Sequence, residues 1–199
     1  GPGREILEAA GGSNRYIEGA VVLWPPGNSY RKGYRDAVQA GVEFYEENGI
    51  KPINKIRSQY SARKLHRDLV QTDVLTEEPF VLIHDMGHPN GWPLDQSTWM
   101  PIDMIASIEQ TKNRFPDDSV IGVYSGGRNW LPITINAILY GVDIVRVGIE
   151  DFYWMYPHRD EIIERNIECI NKIVEFCELI GREIATPEQA RDILGITQT

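Results

Sequence analysis

The sequence lacks several features that mark whole classes of protein. It contains no run of eighteen apolar residues, so it offers no transmembrane helix, and its opening residues do not form a signal-peptide pattern. Positive charge is also scarce, because 20 lysine and arginine residues stand against 29 acidic residues, giving a net charge of −9. Nucleic acids and anionic membranes both need a cationic surface, so neither is an expected partner.

Cysteine is equally scarce, and its placement excludes a disulfide. The two cysteines, Cys169 and Cys177, fall in one predicted helix, where eight residues of rise separate them by about 12 Å. That separation is too long for an S–S bond. We therefore expect two reduced thiols and a cytoplasmic location.

An initiator methionine is missing too, because the chain opens Gly1-Pro2-Gly3. This opening resembles the scar left by a protease that removes a tag. We expect residues 1–15 to be such a scar or linker, or the end of a preceding helix. Residues 16–199 are expected to form the fold.

Five short runs rich in valine and isoleucine predict β-strands. They are Gly19–Trp24, Pro52–Arg57, Phe80–His84, Val120–Tyr124 and Asp143–Ile149. Amphipathic stretches with helical spacing lie between them, which predicts an α/β fold with a parallel sheet. The runs are apolar almost throughout, as in strands covered on both faces. This alternation leaves open both a barrel and a doubly wound, flavodoxin-like sheet.

The C-terminal part of the chain is predicted to be helical. The longest helix should run from Arg159 to Ile180, with Gly181 at the position where helices often end in glycine. The segment Thr186-Pro-Glu-Gln189 has the pattern of a capping box, which predicts a last short helix that ends near Gly195.

The last strand carries opposite charges on one face. Side chains alternate along a strand, so Arg146, Gly148 and Glu150 are predicted to point the same way. Charges on a buried strand are costly unless they are paired or used. The C-terminal end of a strand is also where α/β enzymes place catalytic groups. The pattern favours a catalytic pair, although a structural ion pair that closes a barrel would look the same.

The turn after the fourth predicted strand is a candidate anion site. Gly126 and Gly127 could bring backbone N–H groups close to an anion at the start of the next helix. Arg128 could add a two-pronged contact. A tight turn between strand and helix is the alternative interpretation.

Two earlier strand ends carry further candidates. His84 and His88 flank a carboxylate in His84-Asp-Met-Gly-His88, a set that could ligate a divalent metal or form a polar loop. Lys55 and Arg57 lie on one face of the second strand. They could bind a substrate carboxylate, or lie exposed at a sheet edge.

Three motifs in order resemble the β-keto acid cleavage enzymes. Gly126-Gly-Arg-Asn-Trp-Leu-Pro132 resembles the Gly-Arg-x-x-Leu-Pro turn that follows the family's seventh strand. Arg146-Val-Gly-Ile-Glu-Asp151 resembles the Arg-Val-Gly-Leu-Glu-Asp of its eighth strand. The segment Gly181–Leu194 resembles the family's C-terminal helix. The resemblance is closest over Val120–Ile196 and weaker towards the N-terminus.

The resemblance implies a fold and an activity. Family members are zinc-binding TIM (β/α)8 barrels that convert a β-keto acid and acetyl-CoA into acetoacetate and a new CoA thioester. By this resemblance Glu150 is a zinc ligand, and Arg146 positions the keto acid or helps to deprotonate it, assisted by Asp151. The run Gly19–Trp24 then matches the fourth strand. The chain would supply the last five β/α units of a barrel with a C-terminal helical tail, since a whole barrel takes roughly 250 residues.

The sequence also departs from the family pattern. The family's other zinc ligands form a His-x-His pair on its second strand, and this sequence contains no such pair. The family's fifth strand carries a glutamate where this chain has the segment Ile53–Ser58, with Lys55 and Arg57, so an acid has become a base. We therefore expect either a second polypeptide that supplies strands one to three and a His-x-His pair, or a homo-oligomer. In the remaining option, His84 or His88 replaces the missing histidines.

Two functions remain as hypotheses. The first is a subunit or fragment of a metal-dependent enzyme that cleaves a carbon–carbon bond by retro-Claisen chemistry on a β-keto acid with acetyl-CoA. The second is a non-catalytic regulatory subunit that keeps the fold and binds an anion at Gly126–Arg128.

Overall fold

The computed structural model of the chain describes residues 20–23, 32–47, 50–56, 59–76, 78–86 and 100–196. Seven strands lie in this part of the chain: β1 (Ala20–Leu23), β2 (Lys51–Ile56), β3 (Val81–Met86), β4 (Val120–Ser125), β5 (Ile144–Arg146), β6 (Trp154–Tyr156) and β7 (Arg159–Ile162). Six α-helices accompany them: α1 (Lys32–Glu47), α2 (Gln59–Leu65), α3 (Met100–Lys112), α4 (Trp130–Tyr140), α5 (Asn166–Leu179) and α6 (Pro187–Leu194). A π-helical segment, His66–Val70, continues α2.

The first five strands form one parallel sheet in the order β1-β2-β3-β4-β5. This confirms the α/β fold with a parallel sheet. The order also decides against the flavodoxin-like alternative, because that topology places its first two strands in reversed order around a switch point. Here each strand pairs with the next one along the chain.

The two faces of this sheet carry different kinds of side chain. One face, which we call the helix face, packs against the helices through buried apolar residues. Its members are Ile56, Leu82, Met86, Ile121 and Val123, together with helix residues such as Leu65, Met104, Ile108 and Ala137. The opposite face, which we call the site face, carries Lys55, Asp85, Tyr124 and Arg146, as the alternation of side chains along the paired strands requires.

The structure confirms the predicted capping box at Thr186, which begins α6, and the predicted glycines after the ends of α5 and α6. Thr186 accepts a hydrogen bond from the backbone N–H of Gln189, whose side chain in turn accepts one from the Thr186 N–H. Gly195 and Gly181 adopt φ angles of 65° and 71°, in the left-handed region that favours glycine at a helix end.

Two sequence-based boundaries are wrong. The long helix begins at Asn166 rather than Arg159, because Arg159–Ile162 pairs antiparallel with Trp154–Tyr156 as a hairpin. The fifth strand stops at Arg146, and the chain then turns. Asn166 holds this turn by accepting a hydrogen bond from the Ile149 N–H at 2.9 Å.

The hairpin has its own apolar core. Trp130 stacks on Phe152 with ring centroids 4.2 Å apart, and Cys169 and Ile173 of α5 belong to the same buried cluster. Both cysteines lie on α5 as buried free thiols. None of the helices in the described ranges is long and apolar enough to cross a membrane.

Candidate functional site

The site face brings three polar strand ends into one row. Parallel pairing aligns Asp85 of β3 with Tyr124 of β4, and Tyr124 with Arg146 of β5. Lys55 of β2 lies on the same face and aligns with the residue two positions before Asp85. Because all these positions lie near the C-terminal ends of their strands, the row occupies the edge where α/β enzymes build their sites.

Arg146 meets both carboxylates that the sequence pattern singled out. Its Nη2 atom lies 2.6 Å from Oε2 of Glu150 and 3.1 Å from Oδ2 of Asp151. The Glu150 side chain is 83% exposed and the Arg146 side chain is 38% exposed, whereas the Asp151 side chain is only 6% exposed. The arginine therefore has one buried carboxylate that fixes its position and one open carboxylate that can move away or take another partner.

A backbone contact positions Asp151. The Gly127 N–H donates to the Asp151 carbonyl at 3.1 Å, which ties the turn after β4 to the turn after β5. Gly127 has a φ of 78°, a conformation that favours glycine. The two motifs that suggested a site are thus in direct contact.

Lys55 forms a second ion pair on the site face. Its Nζ atom lies 3.0 Å from Oδ2 of Asp85, and the two side chains are 6% and 0% exposed. Lys55 already pairs with the Asp85 carboxylate. This ion pair weakens the sequence-based prediction that Lys55 binds a substrate carboxylate. Arg57, the other basic residue predicted here, lies outside the described residues.

Tyr124 is a site residue that the sequence reasoning missed. Lys55 Nζ lies 4.6 Å and Arg146 Cζ 4.9 Å from the centroid of its ring, so both cations contact the same aromatic group. The ring is 2% exposed, and its hydroxyl makes no hydrogen bond in the part of the chain that the structure describes. A buried polar group left in that state costs about 1–3 kcal/mol. A bound molecule could remove this cost.

His84 lies on the other side of the sheet. Its ring is fully buried on the helix face, and its Nδ1 atom lies 3.2 Å from the Ser107 hydroxyl of α3. Burial lowers the pKa of His84 to about 3, so the ring is neutral. The prediction that His84 joins the strand-end site does not match this position, because consecutive residues of a strand point to opposite faces. His88 falls outside the described residues.

The Gly126–Arg128 turn uses its donors within the protein. The Gly126 N–H donates to the Met86 carbonyl at 2.9 Å, and the Gly127 N–H is held by Asp151. Arg128 donates to the carbonyls of Pro157 and Arg159 and pairs with Asp160 at 2.7 Å. These contacts agree with the tight-turn interpretation. Arg128 links the turn after β4 to the β6–β7 hairpin through its hydrogen bonds.

A metal site is not complete within the described residues. A zinc site needs at least three protein ligands. No group of three histidine, cysteine, aspartate or glutamate side chains in the described ranges could hold a metal ion. Glu150 is an exposed carboxylate that follows the C-terminal end of β5. One carboxylate alone is not enough to hold a zinc ion.

The chain resembles known proteins over most of its length. Residues 14–196 match the family model for beta-keto acid cleavage enzyme. The 3-keto-5-aminohexanoate cleavage enzyme of Acetoanaerobium sticklandii is 39% identical over 83 residues, which are 42% of this chain and 29% of that protein. The 3,5-dioxohexanoate:acetyl-CoA acetone transferase of Paraburkholderia graminis is 32% identical over 93 residues, 46% of this chain and 29% of that protein.

Solved structures show a similar fold. The apo structure of ObcA matches with a TM-score of 0.70 at 18% identity, over 89% of this chain and 44% of that one. The ternary complex of ObcA with C4-CoA adduct and oxalate matches with a TM-score of 0.71 at 17% identity, over 87% of this chain and 44% of that one. The chain therefore spans less than half the length of these relatives.

Proposed function

The chain belongs to the beta-keto acid cleavage enzyme family, and from this premise we propose that it forms part of an enzyme that cleaves a β-keto acid with acetyl-CoA. The cluster of Arg146, Glu150 and Asp151 is the observation that carries this proposal. The names of two relatives give the reaction class, since one cleaves a keto acid and the other is an acetyl-CoA acetone transferase.

The fold proposed for the whole enzyme is a (β/α)8 barrel, of which this chain supplies the last five units. In a (β/α)8 barrel each strand pairs with the next strand along the chain. Strands β1 to β5 pair in this order, which supports the proposal. In a closed barrel the site face would become the lining of the lumen. The charged row would then lie at the mouth where barrel enzymes carry their active sites.

Arg146 is proposed to hold the keto acid. A guanidinium can bind a carboxylate through two parallel hydrogen bonds and stabilise negative charge as a carbon–carbon bond breaks. Asp151 keeps the arginine aimed at the site, because the buried carboxylate and its backbone tie to Gly127 leave it little freedom. The exposed Glu150 can leave Arg146 when a substrate arrives.

Zinc is proposed with Glu150 as one ligand, and the remaining ligands come from outside the described residues. A His-x-His pair on a partner polypeptide would supply them, and His88 is the other source in this chain. The zinc content of the purified complex tests this assignment. Glu150→Gln should lower it, whereas Glu175→Gln, at a carboxylate that is 66% exposed on α5, should leave it unchanged. Equal zinc in both variants would refute the ligand role of Glu150.

A partner that completes the barrel is part of the proposal. Within the described residues β5 has a strand neighbour on one side only. In the groove beside it, which Ile144 and Val145 of β5 also line, Ile170, Ile184 and Ile193 expose between 44% and 53% of their surface. Open strand edges and exposed apolar groups favour association. Either a second polypeptide with strands one to three or a second copy of the chain would cover them.

The alternative of a non-catalytic, anion-binding subunit has less support. It depended on free donors at Gly126, Gly127 and Arg128, and these groups bind other parts of the protein.

Product analysis tests the proposed reaction. The native complex, purified through a tag on this chain, is incubated with a panel of β-keto acids and acetyl-CoA, and mass spectrometry follows acetoacetate and new CoA thioesters. We expect both products from the wild type and from the control Arg165→Ala, whose side chain is 76% exposed, but not from Arg146→Ala. Failure of every β-keto acid to give an acetyl-CoA-dependent product would contradict the proposal.

A further inference from the structure

The buried pair Lys55–Asp85 has no role in the proposed reaction, although it shares the site face with Arg146. Lys55 is 5% exposed, and Asp85 is fully buried. The Tyr124 ring lies within 5 Å of both the lysine ammonium and the Arg146 guanidinium. An ion pair enclosed this completely at the C-terminal ends of parallel strands is a functional candidate as well as a structural one.

Three features of the pair match the demands of an amine nucleophile. A lysine amine becomes reactive towards carbonyl groups when it is removed from water or lies near another cation. Lys55 satisfies the first condition by burial, and Arg146, which contacts the same Tyr124 ring, is the neighbouring cation. The third feature is Asp85, whose Oδ2 atom lies 3.0 Å from Nζ and can accept the proton that the amine must lose.

Tyr124 adds a second, independent indication of a ligand, since its buried hydroxyl makes no hydrogen bond within the described ranges. An oxygen atom bound beside Lys55 would give that hydroxyl a partner.

We propose that Lys55 forms an imine with the keto group of a β-keto acid and that the enzyme thereby decarboxylates such acids without acetyl-CoA. This inference rests on the proposed function only in taking a β-keto acid as the substrate. Arg146 would hold the carboxylate, Asp85 would take the proton from the amine, and Tyr124 would hydrogen-bond the keto oxygen as it leaves.

The steps balance without another reactant. Lys55 Nζ attacks the keto carbon, and water leaves as the imine forms. The bond between the carboxylate and the neighbouring carbon then breaks, and its electron pair forms an enamine while carbon dioxide departs. The enamine carbon takes up a proton, water returns to the imine, and the ketone leaves with Lys55 restored. The net change is one keto acid and one proton converted into one ketone and carbon dioxide.

Borohydride trapping tests the proposal on the purified complex with acetoacetate as the probe. Reduction should leave an adduct on Lys55 whose added mass is that of acetone less one water plus two hydrogens, or, for imine trapped before carbon dioxide leaves, that of the acid less one water plus two hydrogens. Peptide mapping of the same digest provides matched controls. Lys51 is equally buried on the same face of β2, at its other end, and Lys112 is exposed.

The expected result is an adduct on Lys55 alone, together with acetone release that needs no acetyl-CoA and is lost in Lys55→Arg. That substitution keeps the positive charge beside Asp85 but cannot form an imine. The inference would be overturned if the wild type gave no adduct, or if Lys51 and Lys112 were labelled as strongly as Lys55. Neither result depends on whether Lys55→Arg folds.

The same experiment separates this inference from the proposed function. Acetyl-CoA-dependent products without an adduct on Lys55 would leave the proposed function intact and refute the imine. An adduct and acetone release from a complex that never forms a new CoA thioester would support the imine and refute the proposed function.

Discussion

Two ion pairs lie on the same face of one sheet, and their surroundings differ in almost every respect. Lys55–Asp85 is enclosed, with side chains 6% and 0% exposed, whereas Arg146–Glu150 is open, at 38% and 83%. A buried pair is costly to break because the partner left behind keeps an uncompensated charge. An exposed pair contributes little to stability, so its members are free to bind something else. This difference supports the open pair as the proposed substrate site.

Breaking the buried pair should give the largest effect. Lys55→Met leaves the Asp85 carboxylate buried without its cation, so we expect the free energy of unfolding to fall by about 3–5 kcal/mol. Urea denaturation of the variant measures this loss. The double variant Lys55→Met with Asp85→Leu removes both charges and should recover most of it. A loss below about 1 kcal/mol in the single variant would show that the pair is not desolvated.

The second prediction concerns the buried neighbour of the open pair. Asp151→Asn removes the charge that fixes Arg146, so the guanidinium shifts, and a displacement near 1 Å costs about 100-fold in turnover. The effect should appear in kcat for the keto acid and acetyl-CoA. Asp160→Asn is the control, because Asp160 is 90% exposed and pairs with Arg128. Equal kcat in both variants would contradict the positioning role of Asp151.

His84 shows what burial does without an ion pair. Its pKa is lowered to about 3 in the folded protein, against about 6.5 in an unfolded chain. The unfolded state therefore binds the proton first, and stability is full above pH 6.5 and falls as the pH drops towards 3. We expect about 2 kcal/mol of loss by pH 5 from this group. His84→Leu should remove that part of the pH dependence in urea melts. An unchanged pH profile would exclude His84 as its source.

The smallest effect is expected at the open pair itself. Glu150→Gln should change the free energy of unfolding by less than about 1 kcal/mol, because both side chains keep contact with water. The same denaturation experiment at low and high salt measures it, and salt should reduce the difference further. A loss as large as that of Lys55→Met would show that the two ion pairs contribute equally to stability and would contradict this prediction.

The sequence predicted the elements of this fold better than their limits. Runs rich in valine and isoleucine gave all five parallel strands, because strands covered on both faces must be apolar along their length. The capping box at Thr186 was readable for a local reason, since all its atoms lie within four residues. Arg159–Ile162 was misread as helix because its strand pairing depends on Trp154–Tyr156, a contact that local periodicity does not reveal.

The part of the site that comes from a single sequence motif was predictable. Arg146, Glu150 and Asp151 stand within six residues, so their meeting followed from a single turn. Tyr124 and the Asp85–Lys55 pair come from three strands, and only the register of the sheet brings them together. His84 and Asp85 are neighbours in sequence, yet they face opposite sides of the sheet, which neither composition nor spacing could assign.

Chemical rescue tests the role of Arg146 most directly. We expect turnover of the β-keto acid with acetyl-CoA to fall at least about 100-fold in Arg146→Ala, since a guanidinium that holds developing charge is lost. Guanidinium ion at a low, non-denaturing concentration should restore part of the rate, whereas sodium chloride of equal ionic strength should not. Wild-type turnover in Arg146→Ala, or equal rescue by both salts, would contradict the assignment of this arginine to the reacting keto acid.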